Sequence, residues 1–195
     1  MKTQMRFQKT LCLLTLIMSA ITIVYAFAFI TGGMATVGDI FDYRNDYFNA
    51  ANVYNYGQYV NYVILILGIV FLRLVALLHI FACQKRRNYY ITNYIAIGVS
   101  ALYMIVFAII AMVLVGQTQA MFVSEVDWET FYGGSIILDR FAHTGNSQVM
   151  FYIGYVVYFL VILNALALGY NLLWKIKLMK GEKALLEAGL QKEVA

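Results

Sequence analysis

Four long apolar runs constrain this sequence more than any other feature. They cover about Leu11–Ile30, Val60–Ala82, Tyr90–Val115 and Tyr152–Trp174, and each reaches the roughly 20 residues that a helix needs to cross the hydrocarbon core of a membrane. The chain is 63% hydrophobic and has no proline, whereas soluble domains use roughly 45 to 50% apolar residues. We therefore predict an all-α, polytopic membrane protein, a bundle of four transmembrane helices in one domain of residues 1–195.

The charged residues predict the topology of this bundle. Basic residues cluster before the first run, after the second and after the fourth, whereas acidic residues concentrate in the two segments between runs one and two and runs three and four. By the positive-inside rule, the basic side faces the cytoplasm. We expect a cell membrane of bacterial type with both termini in the cytoplasm, including a tail of residues 175–195. Because topology accounts for the formal charge of +4, nucleic-acid binding is not expected.

The first run could be either a membrane helix or a cleaved signal peptide. Residues 26–28, Ala-Phe-Ala, resemble a cleavage site after a basic start. However, the apolar run continues to Ile30, and Thr15, Ser19 and Thr22 recur at helical spacing. Small, weakly polar stripes of this kind let membrane helices pack closely, so we favour a retained helix.

The chain also contains a possible internal repeat. The run that begins near Lys9 can be aligned with the run that begins at Tyr90, which places Ser19 opposite Ser100. Each of these runs is followed by an acidic segment and a returning run with a basic end. This pattern is consistent with two tandem helical hairpins of the same orientation, although apolar helices also resemble one another by chance.

The second and fourth runs carry the polar residues that most need an explanation. Arg73 lies near the middle of the second run, with His79 further on, and the fourth run carries Asn164 and Asn171 on one stripe. An arginine at this depth costs about 2.5 to 3.5 kcal/mol on insertion scales. Counting from the outer ends of both runs places Arg73 level with Asn164, and His79 near Asn171. These residues are therefore candidate intramembrane contacts, together with Ser19 and Ser100.

Two observations suggest that Arg73 finds its partner outside the bundle. At 100° per residue, Arg73 and His79 lie about 240° apart, so both cannot face the fourth helix. In addition, the other three apolar runs contain no Asp or Glu, and the amide of Asn164 neutralises no charge. A carboxylate, a lipid headgroup or an anionic substrate from outside is the expected partner. The alternative is an arginine satisfied by backbone carbonyls, Asn164 and water.

The two segments between the runs suggest weaker sites. Asp39, Asp42 and Asp46 would share one face of a helix and could hold a cation, but the DxDxDG spacing of a calcium loop is absent, which favours a solvated acidic face. Segment 117–148 predicts two short amphipathic helices, the first capped at Ser124, that lie on the membrane or cap the bundle. Beyond the fourth run, Gly181 is expected to break the helix.

The sequence lacks the motifs of common enzymes and cofactor sites. It contains no GxSxG, HExxH, phosphate-binding GxxxxGK[ST] or CxxC motif, and His79 is the sole histidine in an apolar run, which excludes bis-histidine haem ligation within one chain. Cys12 and Cys83 are interpreted as small buried residues that remain reduced. We expect no catalytic residues, no metal and no cofactor.

These features favour a non-enzymatic membrane protein. The expected function is a small integral subunit, an accessory factor or an immunity factor that packs against a larger membrane protein, such as a transport or export system. Arg73 and the small-residue stripes would form its contact surface, and membrane lipid would surround the rest. The main alternative is a homo-oligomeric channel or carrier whose anion path is lined by Arg73 and His79 and whose subunits contact each other through the stripe of Asn164 and Asn171. An enzyme acting on lipid or quinone is the third possibility.

Overall fold

The described residues form four long helices, with no other long element among them. A computed structural model of the chain describes residues 2–29, 50–83, 90–126, 128 and 147–194. The helices are α1 (Lys2–Ala28), α2 (Ala50–Ala82), α3 (Ile91–Ser124) and α4 (Val149–Val194). Each helix is long and apolar enough to cross a membrane. The predicted all-α fold, a bundle of four membrane-spanning helices, is thus confirmed.

The helices extend beyond the apolar runs. Helix α2 begins at Ala50, well before Val60, and α3 continues to Ser124. Ser124 is the last residue of α3, and its hydroxyl donates to the carbonyl of Ala120 in the same helix (2.8 Å). Residues such as Gln117, Ala120 and Met121 favour continuation of the helix past Val115. The two short helices predicted for segment 117–148 fall mostly outside the described residues.

Helix α4 also continues where the sequence suggested an end. It runs through Gly181 to Val194, so the predicted break is wrong. A glycine inside a helix costs only about 1 kcal/mol relative to alanine, and the surrounding Lys, Glu, Ala and Leu residues offset that cost. A β-carbon at Gly181 would meet no atom within 4 Å, so no close approach requires a glycine there.

The four helices form a ring in which sequential neighbours contact each other and α4 closes against α1. Contacts at both ends show that neighbouring helices are antiparallel. For example, Tyr25 near the end of α1 donates to the carbonyl of Met150 near the start of α4 (3.1 Å). We call the end where α1 and α3 begin the basic end, because Arg6 and Lys9 lie there, and the other the opposite end.

Aromatic rings fill the interior of the half toward the opposite end. The Tyr158 ring packs edge-on against Tyr25 and Phe107, each with a centroid distance of 5.7 Å. Nearer the opposite end, the Phe151 ring lies 5.2 Å from Phe122 and 5.5 Å from Phe29. Most of these side chains are fully buried, so this part of the bundle is a packed core. Helix α1 contributes to this core.

Candidate functional site

Arg73 lies on the outer surface of the bundle. Its side chain is exposed on α2 and makes no hydrogen bond or ion pair with any residue that the structure describes. Helix α2 is also the least enclosed of the four helices, since 28% of its most apolar window is buried, against 39 to 44% in the others. The guanidinium group is therefore on the side of α2 that faces away from the other three helices.

The residues around Arg73 form a continuous exposed stripe along α2. They follow one another at alternating intervals of three and four residues, and all are exposed. This spacing is typical of the seam between two helices that cross at a small angle. We call this stripe the Arg73 face; it consists of Tyr59, Tyr62, Ile66, Ile69, Arg73, Ala76 and Ile80.

An apolar groove lies beside the Arg73 face, between α2 and α3. Its volume is about 200 Å³, and it lies in the half of the bundle toward the basic end. Leu77, which lines it, follows Arg73 by one helical turn, so the groove and the Arg73 face adjoin. We call it the α2–α3 groove; its lining residues are Leu74, Leu77, Phe81, Thr92, Ile95, Ala96, Val99 and Ser100.

The structure does not bring Arg73 and Asn164 together. Asn164 is 3% exposed, inside the bundle, where its Nδ2 donates to Thr15 Oγ1 of α1 (3.0 Å); its Oδ1 has no partner among the described residues. His79 is partly buried, with Nδ1 2.9 Å from the carbonyl oxygen of Val75 in the same helix. Arg73 and His79 therefore occupy different faces of α2, and the alternative in which Asn164 satisfies Arg73 is not realised.

Asn171 does not pair with His79 and instead belongs to a buried amide cluster at the basic end. Its Oδ1 accepts a hydrogen bond from Gln4 Nε2 (3.0 Å), and its Nδ2 donates to Gln8 Oε1 (3.4 Å). Gln4 Nε2 also donates to Gln8 Oε1 (3.0 Å), and Gln8 Nε2 donates to the carbonyl of Ala82 at the end of α2. The cluster therefore ties α1 to both α2 and α4.

A fully buried lysine lies beside this cluster at the basic end. Lys175 Nζ donates to Asn93 Oδ1 of α3 and lies 4.6 Å from the centroid of the Tyr94 ring. Asn93 Nδ2 in turn donates to the carbonyl of Phe81 (2.9 Å). Lys175 was assigned to the tail from its charge, yet it lies inside the bundle one turn after Asn171, because α4 continues past the end of the apolar run.

These contacts form two sets of hydrogen bonds at the basic end, and together the two sets touch all four helices. We call the two sets together the polar ring; it consists of Gln4, Gln8, Asn93, Asn171 and Lys175 with the carbonyls of Phe81 and Ala82. A helix leaves its last carbonyls without partners inside the helix, and the polar ring supplies donors to two of them in α2. This arrangement fixes the ends of the helices relative to one another.

Sequence reasoning missed most of the polar ring. Gln4 lies one helical turn before Gln8, and Gln8 lies two turns before Thr15, so both glutamines lie on the face of α1 that carries the predicted stripe. This helical spacing could have identified them from the sequence. Asn61 of α2 was also missed; it is fully buried, and both of its amide atoms lack a partner in the described part of the chain.

The small-residue stripe of α1 is used inside the bundle. Thr15, Ser19 and Thr22 are all buried, and each hydroxyl donates to a carbonyl in its own helix at 2.7 to 2.8 Å. Ser100 is 3% exposed and lines the α2–α3 groove. The expectation that this stripe forms an outer contact surface was therefore wrong, because packing among the four helices covers it.

The two cysteines, which are distant in sequence, lie near each other: Cys12 on α1 and Cys83 just after α2. The Cys12 thiol, with smaller contributions from His79 and Lys9, lowers the pKa of the Cys83 thiol, although burial opposes this shift. Both thiols are free in the structure.

The remaining predicted site lies outside the described residues, which include none of Asp39, Asp42 and Asp46. Within the described ranges, no group of three His, Cys, Asp or Glu side chains is placed to hold a metal ion. Comparison with protein-family models, curated proteins and solved structures found no match to this chain.

Proposed function

We propose that this protein is a small, non-enzymatic integral membrane subunit that packs against a larger membrane protein through the Arg73 face. The observation that carries this proposal is the position of Arg73, a cation on the outer surface of a membrane-spanning helix with no described partner. Leaving that cation in lipid costs about 2.5 to 3.5 kcal/mol on insertion scales. A protein partner that supplies an anion removes this cost.

The arrangement of the other polar groups supports a subunit over a channel or carrier. The channel alternative needs Arg73 and His79 along one path, but they occupy different faces of α2. Asn164 and Asn171, its proposed subunit contacts, are buried within one bundle. A symmetric dimer through the Arg73 face would also place two arginines near each other. An accessory factor of a transport or export system, or an immunity factor, fits these constraints.

The orientation in the membrane is part of this proposal. The positive-inside rule places the basic end in the cytoplasm of a cell membrane. Both termini would then be cytoplasmic, with the segments at the opposite end outside the cell. The larger partner would therefore lie in the same membrane and contact α2 from the side.

A pull-down in gentle detergent tests the subunit proposal. Tagged wild-type protein should co-purify with a larger membrane protein, and Arg73→Leu should lose at least about nine-tenths of it, as expected from about tenfold weaker binding per 1.4 kcal/mol. Arg73→Lys should retain more of the partner than Arg73→Leu does, because it keeps the charge. Lys177→Leu removes an exposed cation from α4 and serves as the matched control, which should keep the partner.

The same preparation can contradict the proposal. A stable homo-oligomer without a larger partner, equally formed by wild type and Arg73→Leu, would rule out the subunit function. In that case, anion flux into liposomes containing the purified protein would test the channel or carrier alternative.

A further inference from the structure

The depth of Arg73 limits what can neutralise it. It lies about nine residues before Ala82, the last residue of α2, which corresponds to about 13 Å of helix. In the other direction, about 13 residues separate it from Val60 at the start of the apolar run, or about 20 Å. Because the hydrocarbon core is about 30 Å thick, the backbone of Arg73 lies well inside the hydrocarbon region.

The direction of α2 argues against a lipid headgroup as the partner. Side chains on a helix tilt toward its N-terminus, and the N-terminus of α2 lies at the opposite end of the bundle. Arg73 therefore leans away from the nearer membrane surface, at the basic end. A phosphate at headgroup level is poorly placed to reach it, whereas a transmembrane helix can carry a carboxylate at any depth.

The α2–α3 groove provides the second half of a docking surface. It is apolar and open on the outside of the bundle, and with a volume of about 200 Å³ it has room for a large side chain. Leu77 in the groove follows Arg73 by four residues, so the two lie about 6 Å apart along α2. A helix packed here can place a carboxylate opposite Arg73 and a large apolar side chain in the groove, about one turn apart.

A second copy of this chain does not fit as the occupant. The four apolar runs contain no Asp or Glu, so another copy has no carboxylate within a run to present at this depth. Packing two copies through the same face would instead bring two Arg73 side chains together. Charge complementarity therefore points to a different protein.

We propose that the Arg73 face and the α2–α3 groove bind one transmembrane helix of a partner protein. That helix carries an Asp or Glu near mid-membrane depth and a large apolar residue one turn away. The carboxylate pairs with Arg73, and the apolar side chain fills the groove. This inference rests on the proposed function and specifies the chemistry of its partner.

Synthetic transmembrane peptides test the inference without knowledge of the natural partner. The purified full chain, labelled with a donor fluorophore in phosphatidylcholine vesicles, is titrated with an acceptor-labelled Leu/Ala helix that has one central Glu. The matched peptide has Gln at that position. We expect the Glu peptide to bind about tenfold more tightly to the wild type, and Arg73→Leu to abolish this difference.

A second set of variants tests the groove. Ala96→Phe fills it and should weaken binding of both peptides while leaving the Glu peptide the tighter of the two. Leu166→Phe adds bulk at a 55% exposed position on α4 and should leave both affinities unchanged. Circular dichroism of each variant establishes that the helices form.

Three results would overturn the inference. They are equal affinity of the Glu and Gln peptides for the wild type, an unchanged preference in Arg73→Leu, and displacement of the Glu peptide by phosphatidylglycerol in the vesicles, which would identify an anionic lipid as the ligand. The proposed function fails separately. Preferential binding of the Glu peptide with no co-purifying protein would contradict the subunit function alone, whereas an Arg73-dependent partner without an intramembrane acid would contradict this inference alone.

Discussion

The buried polar residues and Arg73 illustrate two ways in which a membrane bundle accommodates polar side chains. Lys175 is fully enclosed, and its ammonium group contacts an amide oxygen and an aromatic face, both of which stabilise a cation without carrying a full charge. Arg73 has no such neighbours among the described residues. Because water is absent from the hydrocarbon core, a polar group there needs a partner, and the function proposed above would supply one to Arg73 from another molecule.

Within the polar ring, we predict that Gln8 contributes more to stability than Gln4. Gln8 donates to the carbonyl of Ala82 and accepts from both Gln4 and Asn171. Gln4 makes two hydrogen bonds, and its Oε1 is buried without a described partner. Gln8→Leu should lower the free energy of unfolding by about 1 to 3 kcal/mol, because it leaves buried groups unpaired. Gln4→Leu should lower it by less than about 1 kcal/mol, because it also removes an unpaired acceptor.

Reversible unfolding in mixed micelles with increasing SDS, followed by circular dichroism, measures both changes. If both variants lose the same free energy of unfolding, or if Gln4→Leu loses more, Gln8 does not contribute more to stability than Gln4, and the prediction is wrong.

At the scale of the helices, the antiparallel contact between α1 and α4 is polar toward the basic end and aromatic toward the opposite end. Gln4 pairs with Asn171 at the basic end, Asn164 bonds to Thr15 further along, and Tyr25 packs beside Gly154 near the opposite end. These contacts set one register along the whole interface. A shift of either helix would break contacts at both ends.

Gly154 allows the close approach of α1 and α4 at Tyr25. A β-carbon at Gly154 would clash with the Tyr25 hydroxyl and would lie 2.7 Å from the ring atom that bears it. Gly154→Ala should therefore lower the free energy of unfolding by about 1 to 3 kcal/mol, the usual cost of overpacking. Gly169→Ala on the same helix is the matched control, since a β-carbon there meets nothing within 4 Å.

We expect Gly169→Ala to be neutral or stabilising by up to about 1 kcal/mol, because alanine favours a helix more than glycine does. The same SDS titration compares the two variants. If Gly154→Ala and Gly169→Ala have the same free energy of unfolding, Tyr25 does not pack against Gly154, and the register of α1 against α4 is wrong.

At the scale of the whole molecule, four antiparallel helices place the start of α1 and the far end of α4 at the basic end. In a background of Cys12→Ala and Cys83→Ala, we predict that Ser147→Cys reacts with a membrane-impermeant maleimide in intact cells. Lys180→Cys should react only after the membrane is permeabilised, because the positive-inside rule keeps the basic end in the cytoplasm. Both positions are exposed, so a difference in labelling reports the side of the membrane.

Labelling of both cysteines in intact cells would contradict the four-span topology. Labelling of Lys180→Cys alone would keep the topology but reverse its orientation.

Three features follow from the amino-acid sequence alone: the number of membrane-spanning helices, the clustering of positive charge at one end, and the presence of Arg73 in an apolar run while the other runs contain no carboxylate. The first of these follows from length and apolar composition, which set whether a segment can cross a bilayer. The direction in which each side chain faces depends on how the helices pack: Asn164, Asn171 and Lys175 face inward, whereas Arg73 faces outward. The sequence could not settle this, because a helix that is apolar on every side carries little information on which side its neighbours cover. Rotation about each helix axis is fixed by contacts between helices, such as Tyr25 against Gly154 and Gln8 against the end of α2.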